Sequence, residues 1–185
     1  SVFSNDASLL YPTEALAYGS GSLALNYVVV GWPQTIASTD DPETNFDPIH
    51  PIHLRSFLAI VGTEPNTAVR VVSNTQVVAG GPVGENMPGD PIEVELQPFE
   101  VVNLETGAFL ADFTGTEVYS SGPVAVFSGS EAADAPHFLT LSERRCCADH
   151  LEDQLAPVRA AGKSFQIPHT PNRGEAVLRA GASVS

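Results

Sequence analysis

The stretch from Asp112 to Gly129, DFTGTEVYSSGPVAVFSG, constrains the fold more than any other part of the chain. Residues 117–120 alternate polar and apolar side chains, which is the pattern of a strand with one buried face. After a break at residues 121–123, Val124–Phe127 is a continuous apolar run, typical of a strand covered on both faces. The stretch therefore predicts two strands joined by a turn, with Val124–Phe127 as an inner member of a sheet.

Further segments with strand character are separated by turns rich in Gly, Pro and Asn. They are Leu23–Trp32, Phe57–Gly62, Val69–Ser73, Ile92–Leu96, Phe99–Leu104 and Ala108–Phe113. We interpret Phe57–Gly62 and Val69–Ser73 as the arms of a β-hairpin, because the Glu-Pro-Asn-Thr sequence at 64–67 is typical of a turn. About nine to eleven strands and little helix predict an all-β fold with sandwich-like antiparallel sheets and long loops.

One short helix is predicted near residues 149–155. Leu151 and Leu155 are four residues apart and would share a helix face, and the carboxylate of Asp149 would lie near the helix N-terminus, where negative charge is favourable. Pro157 would limit this helix to about two turns.

The charge of the chain excludes some classes of partner. The sequence has 22 acidic residues against eight basic ones, for a net charge of −14. Nucleic acid is excluded because binding to it requires Lys and Arg near the phosphates, and anionic membrane surfaces are disfavoured for the same reason. No apolar run approaches the roughly 18 residues that a membrane span needs, so membrane insertion is not expected.

Residues 34–54 form a long, acidic, proline-broken loop, and loops of this length often carry function. Four oxygen-bearing side chains stand at alternate positions in it: Asp41, Glu43, Asn45 and Asp47. An EF-hand is excluded, because Ile52 stands where the bidentate Glu belongs and no Gly occupies the middle. The loop is either an irregular calcium site or a plain solvated segment. His50 and His53 are either transition-metal ligands or ordinary surface histidines.

The two cysteines, Cys146 and Cys147, are adjacent in the sequence. They predict a vicinal disulfide in an oxidising compartment, or reduced or intermolecular thiols otherwise. The C-x-x-H spacing of Cys147 and His150 also allows a metal site, to which His137 could come near, although a structural zinc site typically needs four ligands.

The densest polar cluster spans residues 149–155. We predict a ligand-binding or ion-binding site from five residues: Glu131, Asp134, Asp149, His150 and Glu152. The alternative is a structural role, in which Asp149 caps the helix and Gln154 pairs with loop backbone to fix a long connection to the sheet.

Six segments carry a resemblance to a known family. In order they are LLYPTEAL, YVVVGWP, FLAIVGTEPNTAVRV, DFTGTEVYSSGPVAVFSGSE, ADHLEDQLAPV and GKSFQIP, spread from about Ala7 to Arg173. Together they resemble the IgGFc-binding protein N-terminal domain family, in a bacterial-type form. The resemblance implies a secreted or cell-surface module with no enzymatic activity; binding to antibody Fc belongs to particular animal members and is not transferred to this chain. Ala132 and Ala133 stand where similar sequences tend to carry a Cys.

The sequence contains no G-x-S-x-G, H-E-x-x-H, P-loop or post-strand G-x-G-x-x-G motif, so no residue is nominated as catalytic. We expect an extracellular, non-enzymatic β module that binds protein or glycan, or acts as an adhesion or structural unit beside neighbouring domains of its chain. The alternatives are a calcium-dependent adhesion module and, further off, a hydrolase. We expect one domain over residues 1–174, with subdomains that could divide near 55 or 105, and the truncated start of a following strand or repeat over 175–185.

Overall fold

A computed structural model describes residues 23–37, 52–108, 110–134, 148–162, 164 and 166. Its regular elements are strands, with a single 3-10 turn at Val158–Ala160 in the described part. The strands are β1 (Ala24–Val28), β2 (Thr35–Ala37), β3 (Ile52–Leu54), β4 (Ser56–Gly62), β5 (Thr67–Val72), β6 (Pro91–Leu96), β7 (Val101–Glu105), β8 (Glu117–Ser120), β9 (Val124–Ala133) and β10 (Asp149–Gln154).

Two antiparallel four-stranded sheets pack face to face. The first sheet has the order β1-β8-β5-β6 and the second the order β10-β9-β4-β7, while β2 and β3 form a small separate pair. This confirms the predicted all-β, sandwich-like fold. The inner position predicted for Val124–Phe127 is also confirmed, because β9 lies between β10 and β4.

The hydrophobic core fills the space between the sheets. Every second residue of β4 is buried, so that Leu58 and Ile60 point inward, as the two-residue period of a strand requires. Full burial of a side chain of this size contributes about 1.5–3 kcal/mol. Across the core, the Tyr27 hydroxyl donates a 2.7 Å hydrogen bond to the carbonyl of Val124, and this bond joins the edge of the first sheet to the second.

The predicted hairpin of Phe57–Gly62 with Val69–Ser73 is wrong. These two segments contain β4 and β5, and β4 lies in the second sheet while β5 lies in the first. The chain crosses from one sheet to the other between β6 and β7 and between β8 and β9 as well. In the sequence, a hairpin and a crossing between sheets look the same, because each consists of two strand segments joined by a turn. Only the distant partner of each arm decides between them, and for β4 that partner is β9.

Three of the crossings between the sheets, from β4 to β5, β6 to β7 and β8 to β9, lie together at one end of the sandwich, which we call the arch end. Thr63 Oγ1 donates a 2.7 Å hydrogen bond to the carbonyl of Pro123, and the Gln97 amide donates one of 3.0 Å to Asn66 Oδ1. Asn66 and Phe99 have left-handed backbones, with φ of 54° and 69°. A bulky residue such as Phe99 rarely adopts this conformation, so the sharp crossing holds it there.

A buried polar network closes the opposite end. The Ser56 hydroxyl donates a 2.8 Å hydrogen bond to the carbonyl of Trp32, and the Ser56 N–H donates one of 3.1 Å to Thr106 Oγ1. Thr106 Oγ1 in turn donates to Gln34 Oε1, and the backbone N–H of Gln34 donates a 2.9 Å hydrogen bond to the carbonyl of Ala111. The network joins β4 to the irregular segments that follow β1 and β7, so it fixes loops that no sheet ladder holds.

The helix predicted near residues 149–155 is wrong. Asp149–Gln154 is the strand β10, which pairs antiparallel with β9. Leu151 is exposed, whereas Leu155 is partly buried against the core and donates its N–H to the carbonyl of Val126. The two leucines therefore do not share a face. A seven-residue segment has little helical stability of its own, and the unpaired edge of β9 offers its backbone a full ladder.

The strand predicted at Ala108–Phe113 is also absent from the described residues 108 and 110–113. This segment contains turns, and Leu110 has a left-handed backbone with φ of 54°. Phe113 is fully buried, so the apolar character of the segment reflects one anchoring side chain rather than a strand.

On the outer face of the first sheet, a carboxylate raises the pKa of Tyr119. The Tyr119 hydroxyl donates a 2.6 Å hydrogen bond to Glu117 Oε2. This bond is the main cause of the raised pKa, and burial and the negative charge of Glu117 add to it by opposing formation of the phenolate. The positive charge of Arg70 lowers the Tyr119 pKa and so offsets part of the effect. We expect Glu117→Gln to lower the Tyr119 pKa, as measured by absorbance titration at alkaline pH. Tyr119→Phe identifies its transition among the four tyrosines.

The sign of the accompanying stability effect follows from this direction. Because the folded-state pKa is raised, the contribution of this bond to stability is fully present below the ordinary tyrosine pKa of about 10, and it is lost as pH rises through the raised value. An unchanged Tyr119 midpoint in Glu117→Gln would contradict the hydrogen bond as its main cause.

Candidate functional site

The outer face of the second sheet has a row of four paired residues that crosses all of its strands. Glu152 of β10 pairs with Gly129 of β9, Gly129 pairs with Phe57 of β4, and Phe57 pairs with Glu105 of β7. A side chain at position 129 would meet Phe57 Cζ at 2.5 Å, so the Phe57 ring lies over the backbone of Gly129. The glycine thus gives the aromatic ring a flat site between two carboxylates.

His150 stacks on this ring. The ring centroids of Phe57 and His150 are 6.0 Å apart with an interplanar angle of 16°. The β9–β10 register shifts between Asp149 and Leu151, and this irregularity lies at His150. His150 Nε2 is 3.6 Å from Glu152 Oε2, and both side chains are a little over two-fifths exposed. A partner could therefore reach both residues.

An arginine and a carboxylate extend the site toward the end of the sheet. Glu131 Oε2 accepts a 3.0 Å hydrogen bond from the Arg55 N–H, and the Glu131 N–H donates to the Arg55 carbonyl at 2.8 Å. Arg55 Nε is 3.9 Å from Glu105 Oε2, and its guanidinium also donates to the carbonyl of Thr106. We call the set the outer-face patch: Arg55, Phe57, Glu105, Glu131, His150 and Glu152.

The patch combines flat ring surfaces with hydrogen-bonding groups of both signs. Phe57 and His150 offer apolar and π contacts, three carboxylates accept hydrogen bonds, and Arg55 donates them. Such a combination suits recognition of another molecule. Among the described residues, no group of three or more His, Cys, Asp or Glu side chains is placed to hold a metal ion.

Of the five residues predicted to bind a ligand, the structure places Glu131, His150 and Glu152 in the patch. Asp149 is beside them, where its Oδ1 accepts a 2.9 Å hydrogen bond from the His150 N–H. Asp134 differs: it is buried, and its carbonyl accepts a 2.8 Å hydrogen bond from Trp32 Nε1. Asp134 therefore lies at an anchor point of the fold rather than on the open face.

Sequence reasoning missed the other half of the patch, which is Arg55, Phe57 and Glu105. Phe57 began the predicted strand Phe57–Gly62, whereas Arg55 and Glu105 lay just outside the predicted strands. In the structure, Phe57 and Glu105 fall on the sides of β4 and β7 opposite the buried residues. Alternation gives the face of a residue but not its neighbour on the next strand, which depends on register.

Several predicted metal and disulfide residues lie outside the described part of the chain. They are Asp41, Glu43, Asn45, Asp47, His50, His137, Cys146 and Cys147. For His53 the structure describes the backbone, which pairs with Ile36. The calcium, transition-metal and cysteine hypotheses therefore stay predictions.

Comparisons with known proteins agree on one family. The family model for the IgGFc binding protein matches residues 6–183. A human IgGFc-binding protein is 31% identical over 135 residues, which cover 65% of this chain and 2% of that much longer protein. No solved structure matches the chain. In the described residues, no helix is long and apolar enough to cross a membrane.

Proposed function

Because this chain belongs to the IgGFc binding protein family, we propose that it is an extracellular, non-enzymatic binding module that holds a protein ligand on its outer-face patch. Two points support the proposal: the family match over nearly the whole chain, and a rigid sheet that presents aromatic and charged side chains on one open face.

The stacked pair of Phe57 and His150 is the observation on which the proposal depends. The pair lies over a glycine and between carboxylates, so its geometry is already set before a ligand arrives. Preorganised aromatic side chains contribute most of the affinity in many protein interfaces, because they bury a large area and lose little conformational entropy. Arg55, which is held by Glu105, adds a second residue type that is common at such hot spots.

The human relative is named for binding IgG Fc, so a purified Fc fragment is the first probe for this chain. Other extracellular proteins form the second group of probes. A glycan is the alternative ligand, since a sugar ring could stack on Phe57 and donate hydroxyl hydrogen bonds to Glu152 and Glu131.

The test is to screen the whole chain against the Fc fragment, an extracellular-protein array and a glycan array, and to measure each hit by interferometry. For a protein hit, we expect Phe57→Ala to weaken binding at least about tenfold, as removal of a central aromatic anchor does. Glu152→Lys, an exposed change, should also weaken it. Arg70→Gln, on the outer face of the first sheet, is the matched control and should bind like wild type.

Melting curves separate a loss of ligand contact from a loss of fold. The proposal is contradicted if every patch variant keeps wild-type affinity for a hit, or if only glycans bind. Saturable binding that Arg70→Gln alone weakens would place the ligand on the first sheet instead.

A further inference from the structure

A second surface lies on the side of the sandwich where β6 and β7 form the edges of the two sheets. A cleft of about 440 Å³ lies between these edge strands, and the turn at residues 80–83 forms its third wall. Its apolar lining includes Val83, Val94, Leu96 and Val102, and its acidic lining is Glu95 and Glu100. The cleft is distinct from the outer-face patch, because none of the patch residues lines it.

The strand β6 is unpaired on one side in the described part of the chain, where it pairs with β5 alone. Its residues alternate strictly: Ile92 and Leu96 are buried, whereas Glu93 and Glu95 are exposed. The unpaired N–H and C=O groups of such an edge can bond to a further strand.

We propose that the edge of β6 binds an extended segment of a protein partner as an additional strand, in which apolar residues alternate with Lys or Arg. In that position every second side chain of the segment would enter the cleft against Val83 and Val94. The intervening side chains would lie beside Glu93 and Glu95, and opposite charges on neighbouring strands are favourable.

Charge argues against a second copy of this chain as the occupant. The chain has 22 acidic residues and eight basic ones, so a segment with several alternating cations is rare in it. Two β6 edges side by side would bring Glu93 and Glu95 against each other, and like charges directly across strands are unfavourable. Exposed apolar side chains beside the cleft, Val101 at 56% and Phe99 at 90%, add area that a foreign segment could cover.

The test uses synthetic peptides and the whole chain. The parent peptide is an acetylated, amidated octamer of alternating Val and Lys, and the control replaces each Lys by Glu. Two further forms of the parent carry N-methyl groups on the Val amides or on the Lys amides. Only one of these two sets of amides faces the protein edge in a given strand orientation, so methylation tests backbone pairing without changing any side chain.

We expect saturable binding of the parent by calorimetry, at least tenfold weaker binding of the Glu peptide, and at least tenfold weaker binding of one methylated form. On the protein, Glu95→Lys should weaken the parent at least tenfold, while Asp153→Lys, an exposed charge reversal on β10 outside both surfaces, should leave it within twofold. The proposal requires all of these results. No saturable binding, or binding that survives both methylated forms or Glu95→Lys, overturns it, whatever the outcome at the outer-face patch.

Discussion

Gly129→Ala is expected to lower the free energy of unfolding by about 3 kcal/mol, which is typical of severe overpacking. The added Cβ would overlap with the Leu151 carbonyl oxygen of β10 and lie 2.5 Å from Phe57 Cζ. Neither neighbour can move aside without a loss of stability, because the Leu151 carbonyl belongs to a paired strand and the Phe57 ring is stacked on His150. For a chain of this length the midpoint of thermal unfolding should fall by about 6–12 °C.

The same change should also damage the outer-face patch, because Phe57 or β10 must move to admit the methyl group. The matched control is Gly84→Ala. A Cβ at that position meets nothing within 4 Å, and the backbone there is not left-handed. This control should keep or slightly raise stability, by up to about 1 kcal/mol, through the entropy of the unfolded chain. If Gly129→Ala melts like Gly84→Ala, the ring does not lie over the glycine.

Thr106→Val is expected to lower the free energy of unfolding by about 2–4 kcal/mol. This figure is the sum of the costs for two buried groups, the Ser56 N–H and Gln34 Oε1, that each lose a hydrogen-bond partner. The valine keeps the shape of the threonine but can neither accept the 3.1 Å hydrogen bond from the Ser56 N–H nor donate to Gln34 Oε1. Thr106 and Gln34 are fully buried and Ser56 nearly so, so water cannot readily replace these bonds. Chemical denaturation of the wild type and the variant would measure the lost free energy of unfolding, provided that both show the same dependence of that free energy on denaturant concentration.

Ser128→Ala is the control for this prediction. Ser128 is also a buried hydroxyl beside the core, but its Oγ makes no hydrogen bond within the described part of the chain. Removing it should leave stability unchanged or raise it slightly, since a buried polar atom without a partner only costs desolvation. Equal losses for Thr106→Val and Ser128→Ala would show that the hydrogen bonds of Thr106 do not account for its contribution to stability.

The candidate site was partly predictable from the sequence. His150 and Glu152 belong to the dense polar cluster at residues 149–155, which is visible in the local sequence, and Glu131 was predicted beside it from a neighbouring loop. Arg55, Phe57 and Glu105 were missed, because they join the patch only through the pairing of β4 with β7 and β9. Residues 57 and 129 are 72 positions apart, and no local rule of spacing predicts that an aromatic ring lies over that particular glycine.

The positions of most strands and their buried faces follow from the sequence alone, because strand character and a two-residue period are local properties of a chain. What the tertiary structure decided was the identity of each strand's partner. It turned the expected hairpin of β4 and β5 into a crossing between sheets, and it made Asp149–Gln154 a strand instead of a helix. The physical reason is that hydrogen-bond ladders and the contact between two sheets join residues far apart in the chain. Their free energy outweighs the weak local preference of any single segment.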